Sequence, residues 1–184
     1  MLEDIIFALW FFLPAGLANT VPVPAAKIKS LDFLNIPLDF NKTFRNKRIF
    51  GNHKTLRGVV IGVITGIITA IIQFFIYKNW DYMQQISPID YSQISPIIWG
   101  SILALGALGG DAIKSFFKRQ LDVKPGSSWF PFDQIDYIIG GIVASLIIMQ
   151  LDLAYYILIM IIWFILHPIA TTSGYLLKLK DTPI

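Results

Sequence analysis

The sequence predicts an all-α integral membrane protein with about five transmembrane helices and a cytoplasmic amphipathic interfacial helix. Three observations carry this. Of 184 residues, 55% are hydrophobic and 15% charged, against about 45–50% and ~25% in soluble domains. Five apolar stretches approach or reach the ~20 residues that a bilayer-crossing helix needs. Lysine and arginine gather in alternate connections between those stretches.

The first stretch covers 5–26. Pro14, Pro22 and Pro24 lie in it, so its C-terminal half is expected to bend or leave the helix. Glu3 and Asp4 precede it where a secretory signal would carry positive charge, so it reads as a retained span. The second stretch, 58–77, has no charged residue. The third covers 94–110. The fourth, 137–151, is short, ~22 Å at 1.5 Å per residue. Its helix either begins before Asp136 or turns tightly into the fifth stretch at Asp152. The fifth covers 153–177.

In chain order the connections hold none, eight, one, four, none and two Lys or Arg. By the positive-inside rule the N-terminus is outside. The loops 27–57 and 111–136 are cytoplasmic, as is the C-terminal tail with Lys178 and Lys180. The expected location is the cell (plasma) membrane, multi-pass. No polar stretch is long enough for a separate soluble domain, so residues 1–184 form one membrane domain. The absence of cysteine removes disulfides, thiolate nucleophiles and Fe–S clusters. A net charge of +3 is too small to suggest nucleic acid as a partner.

Glycines recur at spacing four: Gly58, Gly62 and Gly66, then Gly106 and Gly110. Such faces let membrane helices approach closely. Gly62 and Gly66 read as packing residues. Gly58, Gly109 and Gly110, beside charged motifs, read as functional candidates.

The informative polar residues fall in the two cytoplasmic loops. Phe50-Gly-Asn-His-Lys-Thr-Leu-Arg-Gly58 brings phosphate-binding donors to the entry of the second span. The glycine pattern of a Walker A loop is missing. In the second loop Asp111, Lys114, Ser115 and Lys118 fall at i, i+3, i+4 and i+7, one helix face. Ile113, Phe116, Phe117 and Leu121 fall on the other, hence the interfacial helix. Lys114 on its own is expected to face solvent. Asp133 and Asp136, three apart on a helix, point the same way. With Asp111 they offer oxygen ligands suited to Mg²⁺ and a polyphosphate. The plainer reading of each acid is a salt bridge. His53 and His167, the two histidines, read as packed rather than catalytic.

Four segments in this order resemble a known family: Asn19-Thr-Val-Pro22, His53-Lys-Thr-Leu-Arg57-Gly, Gly109-Gly-Asp111-x-x-Lys-Ser-Phe-x-Lys118-Arg119 and Phe132-Asp133-Gln-x-Asp136. Together they look like the CDP-archaeol synthases, integral membrane cytidylyltransferases related to CDP-diacylglycerol synthases. The similarity runs over essentially the whole chain.

The resemblance implies that CTP and a membrane lipid phosphate give a CDP-activated lipid and pyrophosphate, with Mg²⁺ as cofactor. It carries the metal-binding acids onto Asp111, Asp133 and Asp136, with Lys118 beside them in the catalytic centre. It carries nucleotide contacts onto Asn19, Lys54, Thr55, Arg57, Lys114 and Arg119. The family's usual Gly-Asp-Gly-Lys-Thr appears here as Gly51-Asn52-His53-Lys54-Thr55, without the Asp and so with one metal or ribose contact fewer. The lipid is expected to be 2,3-bis-O-geranylgeranylglycerol phosphate-like or phosphatidate-like. A homodimer is left open.

From another class, a small transporter of an anionic substrate would also carry polar residues near broken helices. Against it, the charges cluster on one side of the membrane rather than at its middle.

Overall fold

A computed structural model gives the structure of residues 1–124 and 127–177. Lys178 and Lys180, assigned above to the cytoplasmic tail, lie outside the described residues. In chain order the elements are α1 (Leu2–Thr20), α2 (Pro22–Ala25), a 3-10 turn (Lys29–Leu34), a hairpin of β1 (Thr43–Phe44) and β2 (Lys47–Arg48), and α3 (Leu56–Asn79). They continue with α4 (Asp81–Ile86), a short 3-10 turn (Tyr91–Gln93), α5 (Pro96–Gln120), α6 (Phe132–Ser145) and α7 (Leu153–Leu176). The fold is a helical bundle.

Among the described residues four helices are long and apolar enough to cross a membrane: Leu2–Ala25, Leu56–Asn79, Pro96–Gln120 and Leu153–Leu176. They match the expected first, second, third and fifth spans. The expected fourth span is α6, whose helix begins before Asp136, at Phe132. Its 14 residues reach only ~21 Å. The lipid-facing sides are visible as exposed apolar stripes at spacing four. On α3 these are Ile64, Ile68 and Ile72; on α7 they are Ile157, Ile161, Ile165 and Ile169.

Two expectations are corrected. The C-terminal half of the first span does not leave the helical conformation: α1 passes through Pro14, and after a one-residue break Val21 keeps helical dihedrals (φ −64°, ψ −30°) into α2. Pro22 and Pro24 sit in the first turn of α2, where a missing N–H is tolerated. Residues 111–119 are not a separate interfacial helix, because α5 runs unbroken from Pro96 to Gln120. Its polar side turns toward α6 and its apolar side stays exposed at Ile113 and Phe117. That two-faced pattern is what an in-plane helix would also show.

Helix α1 sits at the centre. Phe7, Phe11 and Phe12 are fully buried. Phe11 meets Trp99 of α5 at a ring separation of 5.0 Å, and Phe12 meets Trp163 of α7 at 5.4 Å. The Trp163 indole N–H donates to the Ala8 carbonyl at 3.3 Å, and the Tyr137 hydroxyl donates to the Trp163 carbonyl at 3.1 Å. These two bonds pair the polar groups of Trp163 and Tyr137 across α1, α6 and α7, as a dry interior favours.

Glycines set the helix spacings. A Cβ on Gly66 would fall 2.7 Å from the Gly100 carbonyl oxygen, joining α3 to α5. One on Gly106 would fall 2.5 Å from the Gly140 oxygen, and one on Gly110 only 2.1 Å from the Asp136 oxygen. Gly110 is therefore a packing residue of the α5–α6 contact, where functional use was expected. Gly109 has open space where its Cβ would be.

Candidate active site

The α5–α6 contact aligns the acids. Asp111 and Lys114 stand on α5 beside the glycine seam, and Asp133 and Asp136 stand on the first turns of α6. The Lys114 ammonium lies 3.1 Å from Asp111 Oδ1, 2.9 Å from Asp133 Oδ1 and 2.7 Å from Asp136 Oδ2. Its side chain is 13% exposed, so it does not face solvent as expected. Lys118 holds Asp133 with both oxygens, at 2.8 and 2.9 Å. The Trp129 amide adds a third bond to Asp133 at 2.6 Å. Lys54 reaches across from the loop before α3 and pairs with Asp111 Oδ2. Three carboxylates and three ammonium groups thus form one connected network.

That network lines a cavity of about 480 Å³, together with Asn19, Arg119, His53, Gln134 and His167. A second cavity of about 650 Å³ shares Asn19, Lys54 and Asp111 and adds Thr55, Arg57 and Gly58. All ten residues singled out from the sequence therefore border one or both cavities. They do different work. The Thr55 side chain caps α3 by accepting from the Gly58 amide at 3.2 Å, as N-cap residues do. Arg57 is buried and donates to Asp32 Oδ1 at 2.9 Å, tying the Lys29–Leu34 turn to α3. Both histidines border the first cavity, and the His167 ring packs 5.5 Å from that of Tyr137.

The loop that presents Lys54 is built around Asp39, which sequence reading missed. Asp39 is 4% exposed. Its carboxylate accepts from Arg48 at 2.5 and 3.1 Å and from the amides of Asn41, Phe50 and Gly51 at 3.0–3.1 Å. Burial pushes its pKa up, but the guanidinium and the three amides outweigh burial and hold it well below the usual carboxylate range. Arg48 also donates to Asn52 Oδ1 at 2.7 Å. The residue that replaces the family's Asp is thereby tied to the loop through its side-chain oxygen, and it lines both the first and the second cavity. The hint in the sequence is the asparagine-rich turn chemistry. Phe40, Asn41, Arg45 and Asn46 all have positive φ, and such tight turns favour Asn.

A third cavity, about 270 Å³, lies between α1 and α7. Gly16, Val23, Trp163, Leu166 and Ala170 make it mostly apolar, and it shares Asn19, His167 and Thr171 with the first cavity. A polar chamber thus adjoins an apolar groove between α1 and α7.

Residues 1–184 match the family described as CarS-like, CDP-archaeol synthase. The chain belongs to the CDP-archaeol synthase family. It is 30% identical over 183 residues to the CDP-archaeol synthase of Pyrococcus furiosus, covering 99% of both chains. It is 38% identical over 174 residues to that of Methanococcus maripaludis strain S2, covering 94% of this chain and 93% of the relative. A solved structure, described as an intramembrane enzyme for archaeal membrane lipids biosynthesis, shares the fold. Its TM-score is 0.69 at 23% identity, over 90% of this chain and 93% of that one. Members of the family transfer CMP from CTP to a lipid phosphate, so the chain is a nucleotidyltransferase and a multi-pass membrane protein. The transporter alternative is set aside.

Members of the family use CTP, whose phosphates commonly carry a divalent ion. The donors fit one: aspartate oxygens suit a hard cation. Among the described residues, however, no group of three His, Asp or Glu side chains is arranged as a metal site in this structure. The point on which the three carboxylates converge is held by the Lys114 ammonium.

Proposed function

We propose that the chain is a Mg²⁺-dependent CTP:lipid-phosphate cytidylyltransferase acting at the cytoplasmic face of the cell membrane. Its acceptor is proposed to be an ether-linked isoprenoid glycerol phosphate of the 2,3-bis-O-geranylgeranylglycerol type. The observation that carries this is the junction of the acid–lysine chamber with the apolar α1–α7 groove. Head group and tails of one amphiphile need such a junction.

In this reading the lipid phosphate oxygen attacks the α-phosphorus of CTP, and the bond to the pyrophosphate oxygen breaks. The nucleophile is ionised near neutral pH, so no general base is required. The His167 ring packs against Tyr137, in keeping with a site that needs no general base. Two anions must meet, and negative charge must leave with pyrophosphate. Lys54, Lys118 and Arg119 border the chamber and supply cationic donors for the triphosphate, a form of preorganised stabilisation. Asn19 borders all three cavities and would position the lipid phosphate against the nucleotide. Asp111, Asp133 and Asp136 would hold the Mg²⁺. When bound, that ion would polarise phosphoryl oxygens and offset charge on the leaving group. Arg57 and Thr55 shape the second cavity through the loop and the helix cap.

The test is incubation of the purified protein with Mg²⁺, labelled CTP and either an archaeal-type ether phosphate or a diacyl ester phosphate. CDP-lipid and pyrophosphate formed preferentially from the ether lipid support the proposal. Preference for the ester lipid overturns the acceptor assignment, and no product from either overturns the activity itself.

A further inference from the structure

We infer that Lys114 couples metal binding to nucleotide binding by holding, as an internal cation, the oxygens a divalent ion must use. The inference rests on the proposed nucleotide and metal reading of the chamber.

Lys114 alone among the chamber's cations touches all three acids, within 2.7–3.1 Å. Lys54 touches only Asp111, and Lys118 touches only Asp133. Carboxylates bring three negative charges and these lysines three positive charges, so the network is balanced. A divalent ion added to it makes the chamber strongly cationic and competes with Lys114 for the same oxygens. A triphosphate added alone faces three carboxylates. The two ligands together resolve both conflicts: the Lys114 ammonium leaves the acids and pairs with phosphate oxygens, while the acids are freed for the metal. Lys114 sits one helical turn from Asp111 on α5. A change of side-chain rotamer is enough to redirect an ammonium carried on four methylenes.

Binding of each ligand then favours the other, and the coupling is reciprocal. Lys114 is in this sense a positioning residue whose removal affects the two ligands in opposite directions. Deleting its charge frees the acids and so strengthens metal binding in the absence of nucleotide. It also removes one phosphate partner and so weakens CTP.

The experiment is titration of Mn²⁺ into the full-length detergent-solubilised protein, followed by the electron paramagnetic resonance signal of free Mn²⁺. It is run with and without CTP and corrected for the Mn²⁺–CTP complex in solution. Wild type is compared with Lys114→Met, Lys114→Gln and Lys118→Met. The expected result is Mn²⁺ affinity about tenfold tighter in both Lys114 variants without CTP, with the coupling factor between ligands shrinking toward one. Natural couplings span ~5–150-fold, so the change is measurable. Lys118→Met is expected to change Mn²⁺ affinity much less.

Unchanged or weaker Mn²⁺ binding in the Lys114 variants overturns the inference. Equal tightening in Lys118→Met also overturns it, because general charge removal then suffices. Absence of Mn²⁺ binding in every protein overturns both the inference and the metal assignment. Failure of CTP to bind wild type overturns the nucleotide reading, and the coupling with it. The glutamine variant keeps a polar group at the position if the methionine variant does not fold.

Discussion

The ammonium of Lys54 rests on the carboxylate of Asp111, joining residues 57 positions apart in the chain. One belongs to the loop that Asp39 knots together, the other to the C-terminal half of α5. Both residues line the first and the second cavity. Lys54→Met is expected to lower kcat/KM about 10²–10³-fold, the range for loss of one preorganised donor. Because Lys54 and Asp111 act through one contact, combining Lys54→Met with Asp111→Asn is expected to be less than additive. Steady-state CDP-lipid formation by the three variants measures this. Strict additivity would remove Lys54 and Asp111 from a shared task.

Asp133→Asn and Asp136→Asn are each expected to abolish turnover while the purified protein keeps its elution volume on gel filtration. Neither substitution removes the helix or its glycine contacts. Each does leave Lys114 with one charged partner fewer. Near wild-type rates in both would falsify the catalytic assignment of the pair.

Much of this site was legible in the sequence. The i, i+3, i+4, i+7 spacing placed Asp111, Lys114 and Lys118 on one face, and the two α6 acids were on one side of their helix. What covers that face was not legible. A helix that turns its charged side to a partner and its apolar side to lipid has the periodicity of an in-plane helix. This is why residues 111–119 were read as interfacial and Lys114 as solvent-facing. The partner is α6, brought close by glycines whose pairing is a three-dimensional fact. Asp39 was illegible for a different reason: three of its donors are backbone amides, which every residue but proline carries.

The two adjacent glycines of α5 offer a paired test. Gly110→Ala places a methyl against the Asp136 carbonyl and is expected to cost about 1–3 kcal/mol, as overpacking does, together with most activity. Gly109→Ala meets nothing within 4 Å and is expected to be neutral or slightly stabilising, since alanine is the better helix former. Thermal unfolding in detergent, read beside turnover, distinguishes them. Equal behaviour of the two variants would sink the packing explanation.

Asp39→Asn is expected to destabilise the loop by about 2 kcal/mol near neutral pH, the scale of hydrogen bonds to a charged group. Because the folded pKa of Asp39 lies below its unfolded value, its contribution is fully present above about pH 4. It is lost as pH falls through the folded value. Hydrogen exchange at the Asn41, Phe50 and Gly51 amides should therefore be slow in wild type from neutral pH down to about 4 and fast in the variant. Protection that is the same in both would show that Asp39 does not order the loop.

The contact of Gly110 with the Asp136 carbonyl has a mechanical consequence. Two main chains touching there act as a pivot, and the acids of α5 and α6 stand within a turn of it. A tilt of α6 in a thicker or thinner bilayer sweeps its far end through a wide arc, yet moves groups near the pivot very little. The spacing of the carboxylates is thus insulated from the membrane around them, whereas the α1–α7 groove, bounded by side chains, can breathe with the lipid.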